Sequence, residues 1–513
     1  MLIRFKILIL VLLTINITIS AQNKNTISQK EMISDLVSLD SILKGSYSFF
    51  TIQQKITGYN IEKYIKNKVK FIQKNKISDE NFVFIVNSIL KSCQNGHTRI
   101  VNPKNIKESY DSLVIKNGIK GYDENLAYLR YVQYYRYRNK GLLEDFYQGI
   151  KCRYIDGKYF TSLPIKYKGK IIPYGCRIIS MNQKNIDSIV INNLDNLNCK
   201  WDIINNKYYT ENFSSANTEI MRNNKISYSL VKENDTIILD YNFGSENRIK
   251  YKNEPWIFIT TNKIKYFKKE RILYIRLIGM HFFGNDKERI LTKILDCKNK
   301  VINKVIIDIR GNQGGSDLVW TSILSKLIDK PLNLSVNIAV RNKQKASTFY
   351  YDVFEEHKKF VIPPFERNKF YPLNWNKDIN NYLSPDTNSI LYAGHIYIFQ
   401  DRDIFSSANA LSALCQYSDK LVSCGEVSGE IGGLGEEPYL FCLPNSKILF
   451  SVESTIDFTQ INNIYDYLNQ VEIPLIYNSK EFLKRESKNL SKESKRFLRK
   501  KDPYFRKIIE ISE

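Results

Sequence analysis

Two stretches of this chain bring together residue types that can do covalent chemistry. Residues 305–316 read V-I-I-D-I-R-G-N-Q-G-G-S, an apolar run of strand type that reaches Asp308 and is followed by Gly311, Gly314 and Gly315. Glycines at a strand end let the backbone turn sharply and bring N–H groups close to a ligand. At the head of a following helix, such N–H groups form a cradle for an oxyanion or a phosphate, unless the cluster is a plain turn. The phosphate-loop patterns G-x-x-x-x-G-K-[S/T] and G-x-G-x-x-G are both missing. Residues 396–411 read I-Y-I-F-Q-D-R-D-I-F-S-S-A-N-A-L, a strand, a short loop and a helix beginning near Ser407. A serine there feels the positive end of the helix dipole, which favours a nucleophilic oxygen and the oxyanion it makes. Serine is equally an ordinary N-cap, so this stretch by itself leaves both readings open.

The elements that must position these residues can be read from periodicity. Residues 29–95 read as mainly helical; within them Ser78–Cys93 carries acids in its first turn and stops before Asn95-Gly96. Residues 150–255 change to short β-type runs such as Arg177–Met181, broken by Asn, Asp and Gly. From about residue 265, strands and helices alternate, the pattern of an α/β layer with parallel strands. The tail, 480–513, carries 12 Lys/Arg against 6 Asp/Glu. Its apolar residues Phe482/Leu483, Leu490 and Phe497/Leu498 predict one basic helix with a narrow apolar seam packed on its own domain.

Taken together, the glycine-rich strand end, the strand–Ser-Ser-Ala–helix about 90 residues later and the following L-V-S-C-G-E (421–426) resemble the C-terminal-processing (tail-specific) serine peptidases. That family carries a D-L-R-x-N-x-G-G strand end and a T-A-S-A-x-E nucleophile helix. Residues 174–187, Y-G-C-R-I-I-S-M-N-Q-K-N-I-D, are similar to a segment of the family's PDZ-like domain. Residues 93–99, C-Q-N-G-H-T-R, are similar to the D-G-H-T segment closing its N-terminal helical region. The resemblance spans about residues 30–480. It implies a multidomain α/β protein: an N-terminal helical domain (22–145), a PDZ-like β-rich domain (146–260), a ClpP/crotonase-like peptidase core (261–479) and the basic C-terminal helix (480–513).

Carried over by position, the resemblance places the nucleophile at Ser407 and the oxyanion hole at Gly314, Gly315 and the N–H of Ala408. Members using a Ser–Lys pair place a lysine in the loop after G-E. Here Ile431 stands at that position, and no lysine occurs between Lys420 and Lys447. An alkyl side chain cannot take a proton, which leaves the Ser–His solution of the tricorn-core-like branch, with His97 as base. Asp466 and Glu472 are the two candidates for the carboxylate that orients it. Gln313, Asn409 and Ala410 replace the family's usual glycine, small residue and glutamate. The rival reading is a catalytically inactive peptide-binding protein that keeps the peptidase shape.

The 513 residues, 43% apolar and 25% charged, exclude wholesale disorder and a polytopic membrane protein. Residues 1–21 have the cationic start (Arg4, Lys6), apolar run (Ile7–Leu13) and small Ser20-Ala21 of a secretory signal, so the chain is expected to be exported to a periplasmic or extracellular space. The net charge of +23 raises nucleic acid as a partner, but basic residues are spread along the chain and export argues against it. The expected partner is a peptide or protein substrate; the charge also suits acidic substrates or an anionic envelope surface. No metal or cofactor is expected: the eight cysteines form no C-x-x-C pair, and if the compartment is oxidising some could form disulfides.

Overall fold

The computed structural model describes residues 26–105, 119, 121–145, 150–213, 225–242, 250–251, 261–282, 284–341, 370–372, 382–433, 438–459, 461, 463–475 and 494–511. The expected leader and the tail positions Phe482, Leu483 and Leu490 lie outside the described residues.

Short-range signals set the N-terminal helices. Ser28 opens Gln29–Ser46 with a capping box: its side chain accepts from the Glu31 N–H, and the Glu31 carboxylate accepts from the Ser28 N–H at 2.7 Å. Asn60 and Ser78 cap Ile61–Lys74 and Asp79–Ser92. Each helix buries one stripe, Leu36, Leu39 and Leu43 from the first and Phe82, Val86 and Ile89 from Asp79–Ser92. These enter one apolar cluster with Tyr154, Ile178 and Leu230 of the β-rich region and with Phe450 and Val452 from near the other end of the chain. In the β-rich region the strands Asp235–Asn242, Lys225–Lys232, Arg177–Met181, Lys158–Thr161 and Cys152–Ile155 follow one another in an antiparallel sheet.

A second sheet is built in chain order from Lys263–Phe267, Ile272–Arg276, Lys304–Asp308, Ile396–Gln400, Leu421–Gly425 and Ile473–Pro474. Its first two strands are antiparallel and the rest parallel. Side chains alternate across it with period two. Leu273, Ile275, Val305, Ile307, Ile396 and Ile398 meet the helices Asp286–Leu295, Leu318–Ser325 and Ser407–Leu414 on one face. Ile272, Tyr274, Ile306, Tyr397 and Phe399 point to the other. Burial on both faces explains why these strands read as continuous apolar runs.

The second face is covered by the basic tail. Instead of one helix, its described part forms two, Lys495–Lys501 and Pro503–Glu510. Pro503 has no N–H to continue the first helix and is well suited to start the next. Asp502 caps that second helix by accepting the Phe505 N–H at 3.0 Å. Leu498, Tyr504, Phe505 and Ile508 are all at most 1% exposed, so the pair is part of the core rather than a solvated appendage. All eight cysteines are free and buried, so no disulfide forms among them; burial raises the thiol pKa of Cys93, Cys152, Cys199, Cys415 and Cys424.

Phe505 packs its ring against Phe267 at a centroid distance of 4.7 Å. Phe505→Ala is expected to cost about 3–5 kcal/mol, read as a lower urea midpoint with an unchanged transition slope.

Candidate active site

His97 sits in a tight turn that its own sequence builds. The Asn95 side-chain oxygen accepts from the His97 N–H at 3.0 Å and from the Thr98 hydroxyl at 3.2 Å. Beyond the turn, Arg99–Ile100 pairs antiparallel with Leu449–Val452, Arg99 opposite Ser451, and the Ser451 hydroxyl donates to the His97 carbonyl at 2.6 Å. One residue past that strand is Glu453, fully buried, with a carboxylate oxygen 3.4 Å from His97 Nδ1. The same carboxylate accepts from Asn95 Nδ2 and from the Gly433 N–H, each at 2.6 Å. Strand pairing therefore sets imidazole and carboxylate side by side across more than 350 residues of chain.

The other imidazole nitrogen, His97 Nε2, lies 3.2 Å from Ser406 Oγ. Ser406 ends the loop after the strand Ile396–Gln400, immediately before the helix Ser407–Leu414, at φ 54° and ψ −128°. A positive φ in a non-glycine residue is strained, and such strain tends to collect at functional sites. Here close glycine contacts hold it in place. A Cβ on Gly314 would stand 2.6 Å from Ser406 Cβ, and one on Gly433 would stand 2.8 Å from the Ser406 nitrogen. A Cβ on Gly96 would strike the Phe405 ring at 2.8 Å, the ring that packs on His97 at 4.7 Å between centroids.

Ser407, the serine expected to face His97, points elsewhere. It is 5% exposed, and its hydroxyl donates to Asp317 Oδ1, which also accepts from Trp320 Nε1 at 2.9 Å. The one-residue shift has a physical cause: Ser407 is the first helical residue, whereas Ser406, outside the helix, projects from the turn toward the histidine. The shift carries through to the neighbouring N–H groups. Ala408 N–H, expected in the oxyanion set, is committed to Phe405 O at 3.2 Å. Gly314 N–H donates to Asn312 Oδ1 at 2.9 Å. The N–H groups of Gly315 and Ser407 have no hydrogen-bond partner among the described residues. The expected carboxylates are placed away from the histidine. Asp466 closes a capping box with Asn463, and Glu472 accepts from the Ser423 N–H at 3.1 Å. Glu453 was legible as the one acid in the apolar and hydroxyl run 448–456, I-L-F-S-V-E-S-T-I.

The loop before Ser406 is tied down on both sides. Asp401 Oδ1 accepts from the Gly311 N–H at 2.8 Å and from the Asp403 N–H at 3.0 Å. Asp403 pairs with Lys200, and Arg402 pairs with Glu426 and donates to Tyr154 O at 3.1 Å. Burial, then the neighbouring Asp403 charge, pushes the Asp401 carboxyl up to about 6. Burial likewise raises Glu430, with Lys200 and His97 pulling the other way. Ile431, in place of a lysine, is 6% exposed, and its carbonyl accepts from Asn95 Nδ2 at 3.1 Å.

Residues 271–455 match the profile of Peptidase family S41. The chain therefore carries an S41 peptidase domain, of serine type. Among solved structures, it is similar to mature CPAF complexed with lactacystin, with a TM-score of 0.56 at 11% identity over 94% of this chain and 98% of that one. It is also similar to mature CPAF, with a TM-score of 0.53 at 11% identity over 94% and 96%. At that identity the likeness is one of fold. No curated protein matches the chain.

Asp401 binds a proton more tightly in the folded protein than in the unfolded chain, where an aspartate titrates near about 4. Its charge therefore costs stability above pH 6, and that cost fades as pH falls. Asp401→Asn keeps the accepting oxygen and removes the charge. It is expected to raise the urea midpoint at pH 8, with the gain shrinking through pH 6 and gone by about pH 4.

Proposed function

We propose that the S41 domain makes this chain an exported serine endopeptidase that cuts unfolded or C-terminal segments of proteins, with Ser406 rather than Ser407 as nucleophile. The observation that carries the reading is the 3.2 Å approach of His97 Nε2 to Ser406 Oγ, with the buried Glu453 carboxylate against the other imidazole nitrogen. Ser406 attacks the scissile carbonyl as His97 takes its proton. Glu453 favours the tautomer with the proton on Nδ1 and offsets the imidazolium charge. His97 then protonates the leaving amine, and the acyl-enzyme is hydrolysed by water activated by the same imidazole. The tetrahedral oxyanion is held by the N–H groups of Ser407 and Gly315, neither of which has a hydrogen-bond partner among the described residues. An extended peptide adds as a further strand to an edge of the β-rich region, read as PDZ-like.

Export rests on the leader-like residues 1–21, and N-terminal sequencing of protein from an envelope or culture fraction is expected to start at Gln22. The catalytic reading is tested with a fluorophosphonate on the purified full chain. Ser406→Ala is expected to abolish labelling, and Ser407→Ala to keep it within about tenfold. His97→Ala should slow it about 10³-fold or more, and Glu453→Gln about 10²–10⁴-fold, because the imidazole loses its orienting charge. Labelling that survives Ser406→Ala unchanged defeats the assignment. A folded wild type that takes no label favours the peptide-binding alternative.

A further inference from the structure

The residue that opens the glycine turn, Arg310, is held at every polar group. Its N–H donates to Asp308 Oδ1 at 3.1 Å, and its carbonyl accepts from Arg276 Nη2 at 2.6 Å. Its guanidinium binds Asp308 at 2.9 and 2.5 Å and Asp502 at 3.0 and 3.4 Å. The group also lies over the rings of Phe399 at 5.3 Å and Tyr504 at 4.7 Å. Arg310 is 5% exposed, Asp308 1% and Asp502 0%. Burial raises the Asp308 carboxyl, but Arg310 and Arg276 more than offset it and hold it below the usual carboxylate range. Asp502 belongs to the C-terminal helix pair, about 190 residues further along the chain. From Arg310 the backbone runs directly into Gly311, whose N–H is held by Asp401, and on to Asn312. Asn312 fixes Gly314 through its side chain and Phe405 through its carbonyl at 3.1 Å.

We propose that Asp502 is a positioning residue for the peptidase reaction: through Arg310, the C-terminal helix pair fixes the glycine turn that faces Ser406. The proposal rests on the Ser406 reading. An arginine fork bound to two buried carboxylates has one well-defined position, and removing one carboxylate leaves a buried cation partly unbalanced, free to draw the turn after it.

Asp502→Asn in the full chain tests this, because asparagine caps a helix as well as aspartate does and only the charge is removed. Amide exchange at residues 311–316 is expected to quicken at least about tenfold, while the strand Lys304–Asp308 stays protected. Fluorophosphonate labelling should show a maximal rate lower by about tenfold or more with half-saturation unchanged, the pattern of a lost transition-state contact. Ile508→Ala, which loosens the same helix without touching Arg310, should lower thermal stability yet leave that rate within twofold. Arg310→Lys keeps the charge but not the fork and should reproduce the Asp502→Asn result, which covers the case where Asp502→Asn fails to fold. Unchanged exchange and labelling in folded Asp502→Asn overturn the proposal, as does an equal rate loss in Ile508→Ala. Undiminished labelling of Ser406→Ala sinks the nucleophile assignment instead, and the exchange measurement still decides whether Asp502 positions the turn.

Discussion

The antiparallel pairing of Arg99–Ile100 with Leu449–Val452 is a short ladder, yet the whole candidate site hangs on it. It sets the register between a turn that ends in His97 and a strand that runs into Glu453, and it lets the Ser451 hydroxyl hold the His97 carbonyl. Asn95 then ties the turn to the same carboxylate. A one-residue slip would send every side chain of the pair to the opposite face and part imidazole from acid. The N-terminal helices matter to the site because they fix this turn. Their apolar stripes share one cluster with the strand Leu449–Val452, so the histidine is carried on a packed body rather than on a free arm.

Opposite the histidine, the constraint is steric. The positive φ of Ser406 would relax if space allowed, and Gly314, Gly433 and Gly96 are the places where absent side chains let backbone and rings close around it. These glycines come from three separate stretches of the chain. Their common role is visible only once the turns converge; of the three, only Gly314 was read from the sequence as a place where the backbone could come close. The parallel sheet brings one of them to the serine: the glycine turn and the serine loop follow the adjacent strands Lys304–Asp308 and Ile396–Gln400. In open parallel sheets, ligands bind outside the carboxyl ends of the strands.

Charge is organised differently from what the overall composition suggests. The chain carries +23, of which the tail 480–513 accounts for +6, yet two of the tail's anchoring contacts are made to cations of the core. Lys304 caps the C-terminal helix by donating to Ile508 O at 2.7 Å, and Asp502 answers Arg310 inside the core. Around the serine loop the carboxylates of Asp401, Asp403 and Glu430 gather about Lys200 and raise its pKa against the opposing effect of burial. A net charge is a property of the whole surface, and it does not report the field at one cleft.

From the sequence it was possible to read the alternating strands and helices of the core, the two chemistry-bearing stretches, the histidine in its N-G-H-T turn and the absence of a lysine base. All of these are local: period-two and helical patterning, glycine punctuation and residue chemistry act over a few positions. Choosing Ser406 over Ser407 was beyond it, because adjacent serines at a helix start differ only in backbone dihedrals, and distant glycines impose those dihedrals. Choosing Glu453 over Asp466 or Glu472 was likewise beyond it, since all three are acids late in the chain and only strand register says which one reaches His97. The tail read as one amphipathic helix because its seam is continuous in sequence. Its described part forms two, because Pro503 breaks the backbone hydrogen bonds locally, while tertiary packing turns Asp502 inward to meet a buried arginine.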